Sequence, residues 1–535
     1  MKRIYKLIAL ILVAALLLTG CNGAAFRQWL QGLLGQQRIP FSEMEYTRPD
    51  MDAFQTQLDD CLQGAKEDTK VETLMDKVFD LYDTYYRFYT NYKLANIHYY
   101  KDLTDTYWAE EYAYCQKNTA QVDAGMDQLL YALAGSLLKS ELEAEEYFGE
   151  GYFDAFTGQS IWDETFTDLM AQETELQNEY DALSAQALEY SSYYGLLNSS
   201  VGLQMEQLLV ELVALRQDIA EYAGYDDYAQ FAYEFYYERD YTPQQAMTYM
   251  QDVQTELVPL YYDIPDNVYA PGYEKWTQEQ MFSYVESSAN AMGGKVQEAF
   301  DLMKDYGYYD ISYSPNKYNA SFETYLQYYY APFVFVNPQG DGTDPLTFAH
   351  EFGHFCNDYA SNGAVCGIDV AEVFSQSMEY LSLSYSDRGE ELKEMKLAGS
   401  LVIFVEQSAY ANFEQRLYQL EEADLTVENV RALYAETVEN YGFDQWNYDP
   451  REYITISHFY IAPMYIISYV VSNDVAMQIY QEEDAQAGNG RQLFEDSLGT
   501  EELTLLSFVE SVGLADPFEK GRVAQLRQTF EKAFS

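Results

Sequence analysis

Two of the four histidines in this 535-residue sequence lie in one pentapeptide, HEFGH, at residues 350–354. On an α-helix, residues four apart lie on one face, so His350 and His354 can both face a single metal ion. Glu351 lies about 100° around such a helix, close enough to act as a general base toward water beside that ion. A catalytic zinc ion takes three protein ligands and keeps one position open. The motif therefore predicts a zinc site whose third ligand comes from elsewhere.

A second segment, EVFSQSME at residues 372–379, follows HEFGH along the chain. We expect Asp369 to cap a new helix on which Glu372, Gln376 and Glu379 share one face. A carboxylate buried beside two histidines is costly without a cation, which makes Glu372 the expected third ligand. Glu379, nearly two turns further along, is the expected acceptor that orients a ligand histidine.

Together, these two segments resemble the thimet oligopeptidase and oligoendopeptidase F family of metallopeptidases, in which HExGH precedes an E-x-x-S-Q/F-x-x-E helix. The resemblance implies that His350, His354 and Glu372 bind one zinc ion per chain and that Glu351 is the catalytic base. Members of that family enclose the zinc in a deep channel between two helical lobes, which implies short peptides as substrates. The resemblance is clear over about residues 200–535. Over residues 41–200 it is limited to helical character.

A later segment, HFYIAPMYIISY at residues 458–469, also resembles that family. The resemblance implies that His458 and the tyrosines form hydrogen bonds with the substrate and with the oxyanion that develops during hydrolysis. Two positions of the segment depart from the family's aromatic pattern, so Tyr465 and Tyr469 both remain candidates for this role.

The elements that must position these residues are mainly helical. Residues 41–240 carry apolar residues at three- and four-residue spacing, which predicts an N-terminal helical lobe. Thr242 and Pro243 are typical of a helix N-cap and first position, so we place the start of the catalytic lobe, 241–535, there. The stretch 263–272, with two prolines, is expected to be irregular.

The HEFGH helix is expected to follow a small antiparallel sheet. Tyr318–Leu326 and Ala331–Val336 are rich in aromatic and β-branched residues and are bounded by turn formers. The resemblance implies that Phe333–Val336 is the edge strand that pairs with a bound peptide. Asp344 is the expected N-cap of the HEFGH helix, and Asn362 with its following glycine is the expected end.

The N-terminus indicates export and anchoring. Cationic residues precede an apolar run, Leu7–Leu18, which is short for a membrane span, and LTGC follows at residues 18–21. This resembles a bacterial lipoprotein signal, with 1–20 removed, Cys21 lipidated and 21–40 forming a tether. The expected location is therefore outside the cytoplasm, anchored through Cys21 to the lipid bilayer of the bacterial cell membrane.

The net charge of the chain argues against nucleic acid as a partner. The formal net charge is −56, so nucleic acid would be repelled. We expect a monomer that acts on short peptides.

Two alternatives stay open: a zinc carboxypeptidase of similar helical fold, and a non-catalytic peptide-binding lipoprotein, for which Glu351 would have no purpose. Whether Cys356 and Cys366 form a disulfide also stays open.

Overall fold

The computed structural model describes residues 38–534, except 145–146, 157–159, 188–189, 191–192, 263, 265–274, 341, 365, 444–448 and 501–503. Over these residues the protein is mainly α-helical with one small sheet, as the sequence predicts. The predicted signal segment 1–20, Cys21 and most of the predicted 21–40 tether lie outside the described residues, as does most of the stretch 263–272 that is predicted to be irregular. No helix in the described part of the chain is both long and apolar enough to span a membrane.

The helices before the sheet are α1 (Met51–Glu67), α2 (Val71–Lys101), α3 (Thr106–Ala134), α4 (Lys139–Leu142), α5 (Glu164–Ala187), α6 (Tyr193–Leu197), α7 (Ser200–Tyr222), α8 (Tyr228–Phe235), α9 (Pro243–Glu256), α10 (Val258–Tyr261), α11 (Gln278–Met292) and α12 (Gly294–Tyr306).

The strands are β1 (Tyr309–Asp310), β2 (Phe322–Leu326) and β3 (Ala331–Phe335). After them come α13 (Asp344–Ser361), α14 (Ile368–Tyr385), α15 (Lys393–Val402), α16 (Ser408–Leu417), α17 (Val427–Asn440), α18 (His458–Ile461), α19 (Ile467–Ala485), α20 (Asn489–Ser497), α21 (Leu505–Val512) and α22 (Arg522–Ala533).

The N-terminal helices form because their apolar residues follow the helical period. In α2, a stripe at alternating spacings of four and three is buried, comprising Leu74, Val78, Leu81, Tyr85 and Phe88. Helices α1, α2 and α3 pack against one another, and α5 packs against both α3 and α7. This packing places α2, α5 and α7 beside the strand region and the later helices.

The start of α9 follows its local sequence. Thr242 is the N-cap, Pro243 is the first helical residue, and Thr242 and Gln245 form a reciprocal capping box. The predicted helix start is therefore confirmed.

The sheet is mixed, with strand order β1-β3-β2. The predicted antiparallel pair is confirmed, with Glu323 opposite Val334. The expectation that Phe333–Val336 is an edge strand is wrong, because the two-residue strand β1 pairs in parallel with Val334 and Phe335 on the other side. Strand β2 is therefore the edge strand nearer the HEFGH motif, since it packs on α13.

Helix α13 carries HEFGH and ends as predicted, with Asn362 and Gly363 in the left-handed region. Its start differs from the prediction. Thr343 is the N-cap, and Asp344 is the first helical residue. The Asp344 carboxylate instead accepts hydrogen bonds from the backbone N–H groups of Gln339 and Gly340, so it orders the loop that precedes the helix.

Helix α14 carries the second acidic segment and begins at Ile368, after Gly367. The expected Asp369 cap is wrong. The Asp369 carboxylate is buried and lies 3.3 Å from Nε of Arg239, a distant residue that the local sequence could not indicate. A charged partner outweighs a cap here because a buried carboxylate needs its charge compensated.

Gly353 allows α13 to lie directly against α14. A Cβ atom at this position would come within 2.6 Å of both the Phe374 carbonyl oxygen and the Ser375 Cα atom. The glycine inside the HEFGH motif is therefore required by helix packing, which brings the two helices that carry the predicted ligands close together.

The described cysteines form no disulfide, and the remaining histidine packs among aromatic rings. All four described cysteines are free thiols, so Cys356 and Cys366 do not form a disulfide. His98 stacks on Trp108 with ring centroids 4.2 Å apart. This places His98 in aromatic packing, as expected for a histidine outside the site.

Candidate metal centre

The three predicted ligands converge between α13 and α14. One donor atom from each of His350, His354 and Glu372 can be chosen so that all three lie within 4.8 Å of one another. Nε2 of His350 lies 3.4 Å from Oε2 of Glu372, and Nε2 of His354 lies 3.8 Å from Oε1. Two nitrogens and one carboxylate form a donor set that suits zinc.

The hydrogen bonds around His350 indicate that the cluster is built for a cation. Nδ1 of His350 lies 2.9 Å from Oε1 of Glu379, and Lys396 Nζ donates to Oε2 of Glu379 over 2.8 Å. A carboxylate can only accept, so the imidazole proton belongs on Nδ1. Nε2 of a neutral His350 then presents its lone pair to the Glu372 carboxylate. Two facing acceptors need a proton or a metal ion between them, so these residues fit a bound divalent ion.

The ionisation of the ligands shows the same demand for positive charge. Burial lowers the pKa of His350, but hydrogen bonds with Glu372 and Glu379 outweigh it and raise that pKa well above its usual value. Burial raises the pKa of Glu372, but the His350 hydrogen bond and the two imidazoles outweigh it and lower the pKa to about 2. Burial lowers the pKa of His354 to about 4, which keeps it neutral and able to coordinate.

Glu351 lies beside the ligands and against the edge strand. It is buried, and burial together with the nearby carboxylates of Glu372 and Glu379 raises its pKa to about 8, although the charge of His350 opposes this shift. A hydrogen bond with the backbone of Glu323, in β2, also lowers it. A carboxylate of raised basicity therefore lies next to the strand along which an extended peptide could bind.

Both oxygens of the Glu372 carboxylate have hydroxyl partners. Tyr465 Oη donates to Oε1 over 2.5 Å, and Ser375 Oγ donates to Oε2 over 3.1 Å. These bonds orient the carboxylate toward the two histidines. Tyr465 therefore contacts a predicted metal ligand directly.

His458 and Tyr469 form a separate pair. Nε2 of His458 lies 3.1 Å from Oη of Tyr469. Burial lowers the pKa of His458 to about 4, so the ring is neutral near pH 7. The rings of Tyr465 and Tyr469 lie 5.2 Å apart, and the His458 ring lies 5.5 Å from each of them, so these three predicted residues form one cluster. The structure thus gives the two tyrosines different partners.

The turn that carries Tyr465 is held by residues that the sequence did not indicate. Met464 has a φ of 63°, and its carbonyl accepts from Nη1 of Arg239 over 2.9 Å. Arg239 Nη2 donates to Oγ of Ser468 over 2.7 Å, and Tyr237 Oη donates to the Pro463 carbonyl. Arg239 therefore links this turn to Asp369 at the start of the Glu372 helix.

Lys396 is a second residue that sequence reasoning missed. Its side chain is 2 % exposed, and its ammonium compensates the charge of Glu379. One signal was present in the sequence. Lys396 follows Leu392 by four residues and so lies on the buried face of α15, where a charged residue needs a partner.

The family comparisons match two parts of the chain. The Peptidase M3 N-terminal domain matches residues 41–159, and Peptidase family M3 matches residues 295–500. The second range contains every predicted ligand and catalytic residue. A sequence search of curated proteins finds no significant match.

Solved structures share the fold across nearly the whole chain. A protein described as an oligoendopeptidase F is 19 % identical, with a TM-score of 0.79 over 93 % of this chain and 98 % of its own. PZ peptidase A with an inhibitor is 18 % identical, with a TM-score of 0.78 over 92 % and 99 %. A protein described as an oligoendopeptidase F from Bacillus anthracis is 19 % identical, with a TM-score of 0.77 over 93 % and 98 %.

Proposed function

Because the chain belongs to peptidase family M3 and is therefore a metallopeptidase, we propose that it is a zinc-dependent oligoendopeptidase that hydrolyses short peptides. The observation that carries this proposal is the convergence of His350, His354 and Glu372, with Glu351 beside them and against the edge strand β2. The donor set suits zinc, and the buried carboxylate supplies the base that peptide hydrolysis needs.

The roles of the residues follow from their contacts. His350, His354 and Glu372 would hold the zinc ion, and Glu379 fixes the tautomer of His350. Bound zinc supplies Lewis-acid activation of the scissile carbonyl and makes water more acidic. Glu351 accepts a proton from the attacking water and delivers it to the leaving amine.

The substrate backbone would lie along β2, whose outer edge can pair with an extended peptide. The pair formed by His458 and Tyr469 then donates a hydrogen bond to the developing oxyanion. We favour Tyr469 over Tyr465 for this role because the Tyr465 hydroxyl already donates to Glu372.

Two cations beside the centre are each already paired with a carboxylate of the chain, which favours an endopeptidase over a carboxypeptidase. A carboxypeptidase needs a positive group to receive the free C-terminal carboxylate. Lys396 is paired with Glu379, and Arg239 is paired with Asp369; the side chains of both cations are almost fully buried. Neither cation is therefore available to a substrate.

The proposed location rests on the N-terminal sequence. The apolar run Leu7–Leu18 and the following LTGC support export and lipidation of Cys21, with residues 21–40 as a tether. We propose a lipid-anchored enzyme outside the cytoplasm of a bacterium, acting as a monomer on short peptides.

The direct test of the function is Glu351→Gln, which keeps the size of the side chain but cannot accept a proton. The variant should retain about one zinc ion per chain and its affinity for peptides, while kcat falls by about 10²–10⁴. Metal analysis, calorimetric peptide binding and mass spectrometry of a mixed peptide pool, with and without chelator, provide the three readouts.

A matched control is Glu394→Gln, which removes one carboxylate from an exposed position of α15 and should change none of these values. If Glu351→Gln cleaves peptides as fast as the parent, the assigned base is wrong. If the parent binds peptides but never cleaves them, the protein is a peptide-binding lipoprotein.

A further inference from the structure

A cavity of about 290 Å³ lies where α2, α5 and α7 meet the segment that leads into β2. Four tyrosines line it: Tyr99, Tyr100, Tyr180 and Tyr318. Its volume is at the lower end of the range for ligand pockets, roughly 300–1,000 Å³, so it suits a single side chain. We call it the tyrosine pocket.

Among the described residues that line the tyrosine pocket, Asp181 alone is charged. Burial raises the pKa of this carboxyl to about 7, while a hydrogen bond with the Gln116 side chain opposes the shift. Within the described part of the chain, no lysine or arginine forms an ion pair with it. A half-buried carboxyl among aromatic rings therefore lacks a cationic partner in the described chain, and its ionised form is costly unless a ligand supplies one.

Two residues that line the tyrosine pocket are close along the chain to residues of the proposed peptide site. Ser457, which lines the pocket, directly precedes His458. Ala320 also lines it and precedes Glu323 of β2 by three residues, and the Glu323 backbone bonds to Glu351. Three extended residues span about 10 Å. A peptide that lies along β2 would therefore bring a side chain to this pocket roughly three residues from the scissile bond.

We propose that the tyrosine pocket binds a lysine or arginine side chain of the substrate peptide, with Asp181 as its counter-ion. This rests on the proposed function, which it extends to substrate selection. Tyrosine faces attract cations, and they also accommodate the alkyl part of a lysine or arginine side chain. A cation supplied by the substrate would give Asp181 the partner that the chain itself lacks.

An apolar guest is the competing occupant, since four tyrosine rings could also enclose a phenylalanine or leucine side chain. The two occupants differ in their dependence on Asp181. A cation requires the carboxylate, whereas an apolar side chain would bind better once its charge is removed.

The experiment compares peptides that are neutral except for one lysine, moved through each position up to four residues on either side of the cleaved bond. In matched peptides, norleucine, phenylalanine or glutamate replaces the lysine. The parent should show a kcat/KM about tenfold higher for lysine than for norleucine at one position. Asp181→Asn, which keeps the side-chain shape, should abolish that preference by lowering kcat/KM for the lysine peptide, while kcat/KM for the norleucine peptide should not fall.

Glu179→Gln is the matched control, because it removes a carboxylate from an exposed position of α5 two residues away. It should keep the preference, which separates a local counter-ion from the general acidity of the protein. The proposal is overturned if the parent treats lysine and norleucine alike at every position. It is equally overturned if Asp181→Asn keeps the preference, or if Glu179→Gln loses it to the same extent.

Binding separates this proposal from the proposed function. The same peptides are titrated calorimetrically into Glu351→Gln protein, with and without Asp181→Asn. If the parent cleaves no peptide, the proposed function fails, but a lysine-selective affinity that Asp181→Asn removes would still support the pocket. If peptides are cleaved and neither rate nor affinity depends on Asp181, only the pocket assignment fails.

Discussion

Through its two carboxylate oxygens, Glu372 connects the two imidazoles of the candidate metal centre to the hydroxyl groups of Tyr465 and Ser375. Each oxygen faces one imidazole and also accepts a hydrogen bond, from Tyr465 or Ser375. Its position therefore depends on α13, on its own helix and on the turn before α19. A change at this one residue should affect the whole centre.

Replacement of Glu372 by alanine should abolish zinc binding, because two imidazoles leave the ion with too few ligands. Glu379→Gln should retain zinc at about 10–100-fold lower affinity, because the amide can still accept from Nδ1 of His350. Metal analysis and chelator competition measure both effects. Full zinc content in Glu372→Ala, together with loss in a Glu379 variant, would reverse the two assignments.

The two tyrosines should separate in their effects on metal affinity and on turnover. Tyr465→Phe removes the hydrogen bond to Glu372 and should weaken zinc binding by about 10-fold or more. Tyr469→Phe removes the partner of His458 and should lower kcat by about 10²-fold with zinc affinity unchanged. Chelator competition and kcat measured at saturating zinc distinguish them. If Tyr469→Phe loses zinc and keeps kcat, the roles are interchanged.

For individual residues, the sequence predicts the position of a side chain where the signal is local. The spacing within HEFGH and the face of Glu372 and Glu379 can be read from one helical period each. Lys396 and Arg239 could not be assigned in this way, because their partners lie 17 and 130 residues away. The different hydrogen-bond partners of Tyr465 and Tyr469 also required the structure, since both residues lie in one aromatic segment.

Among the helices, the contact between α13 and α14 sets the distance between the ligand residues. Gly353 permits this contact, since a Cβ atom would approach the α14 backbone to within 2.6 Å. The backbone of α14 cannot yield as a flexible side chain would.

Gly353→Ala should therefore lower the free energy of unfolding by about 1–3 kcal/mol and weaken zinc binding, because overpacking forces the helices apart. Gly399→Ala is the matched control. This glycine lies inside α15, and no atom lies within 4 Å of the position that a Cβ would occupy, so alanine should stabilise by roughly 0.5–1 kcal/mol. Urea denaturation measures both. Equal stability of the two variants would show that α13 and α14 can separate without cost.

The helix starts show why local signals were only partly sufficient. Thr242 caps α9 as predicted because its hydroxyl has a partner three residues away in the same helix. Asp344 and Asp369 have equally good capping chemistry, but the first orders a loop and the second pairs with Arg239. Similarly, the central position of β3 was not predicted. Its neighbour β1 is only two residues long and has no sequence pattern that would reveal it.

For the molecule as a whole, the net negative charge and the N-terminal segment affect how the protein would lie relative to a membrane. The formal charge of −56 should keep the folded body away from an anionic membrane surface. If Cys21 is lipidated, as we propose, contact with the bilayer would depend on that lipid and on the length of chain between Cys21 and the folded body.

Cys21→Ser should remove lipid attachment and leave an unprocessed precursor, because serine has no thiol to acylate. Labelling of cells with a clickable fatty acid, followed by capture of the protein, measures this directly. Cys61→Ser controls for the loss of a thiol elsewhere, since Cys61 is fully buried. Equal label in the parent and in Cys21→Ser would exclude a lipid anchor at this residue.

The raised pKa of Glu351 links the proposed base to the charge of the candidate metal centre. Glu379 has Lys396 as its counter-ion, whereas neither Glu351 nor Glu372 forms an ion pair with a lysine or arginine among the described residues. Without added positive charge, the pKa of about 8 keeps Glu351 largely protonated near pH 7. A divalent ion held in the centre would supply that charge, and in a medium of low dielectric constant it would favour the ionised carboxylate. Arrival of the ion would thus switch on the proton acceptor as well as the Lewis acid.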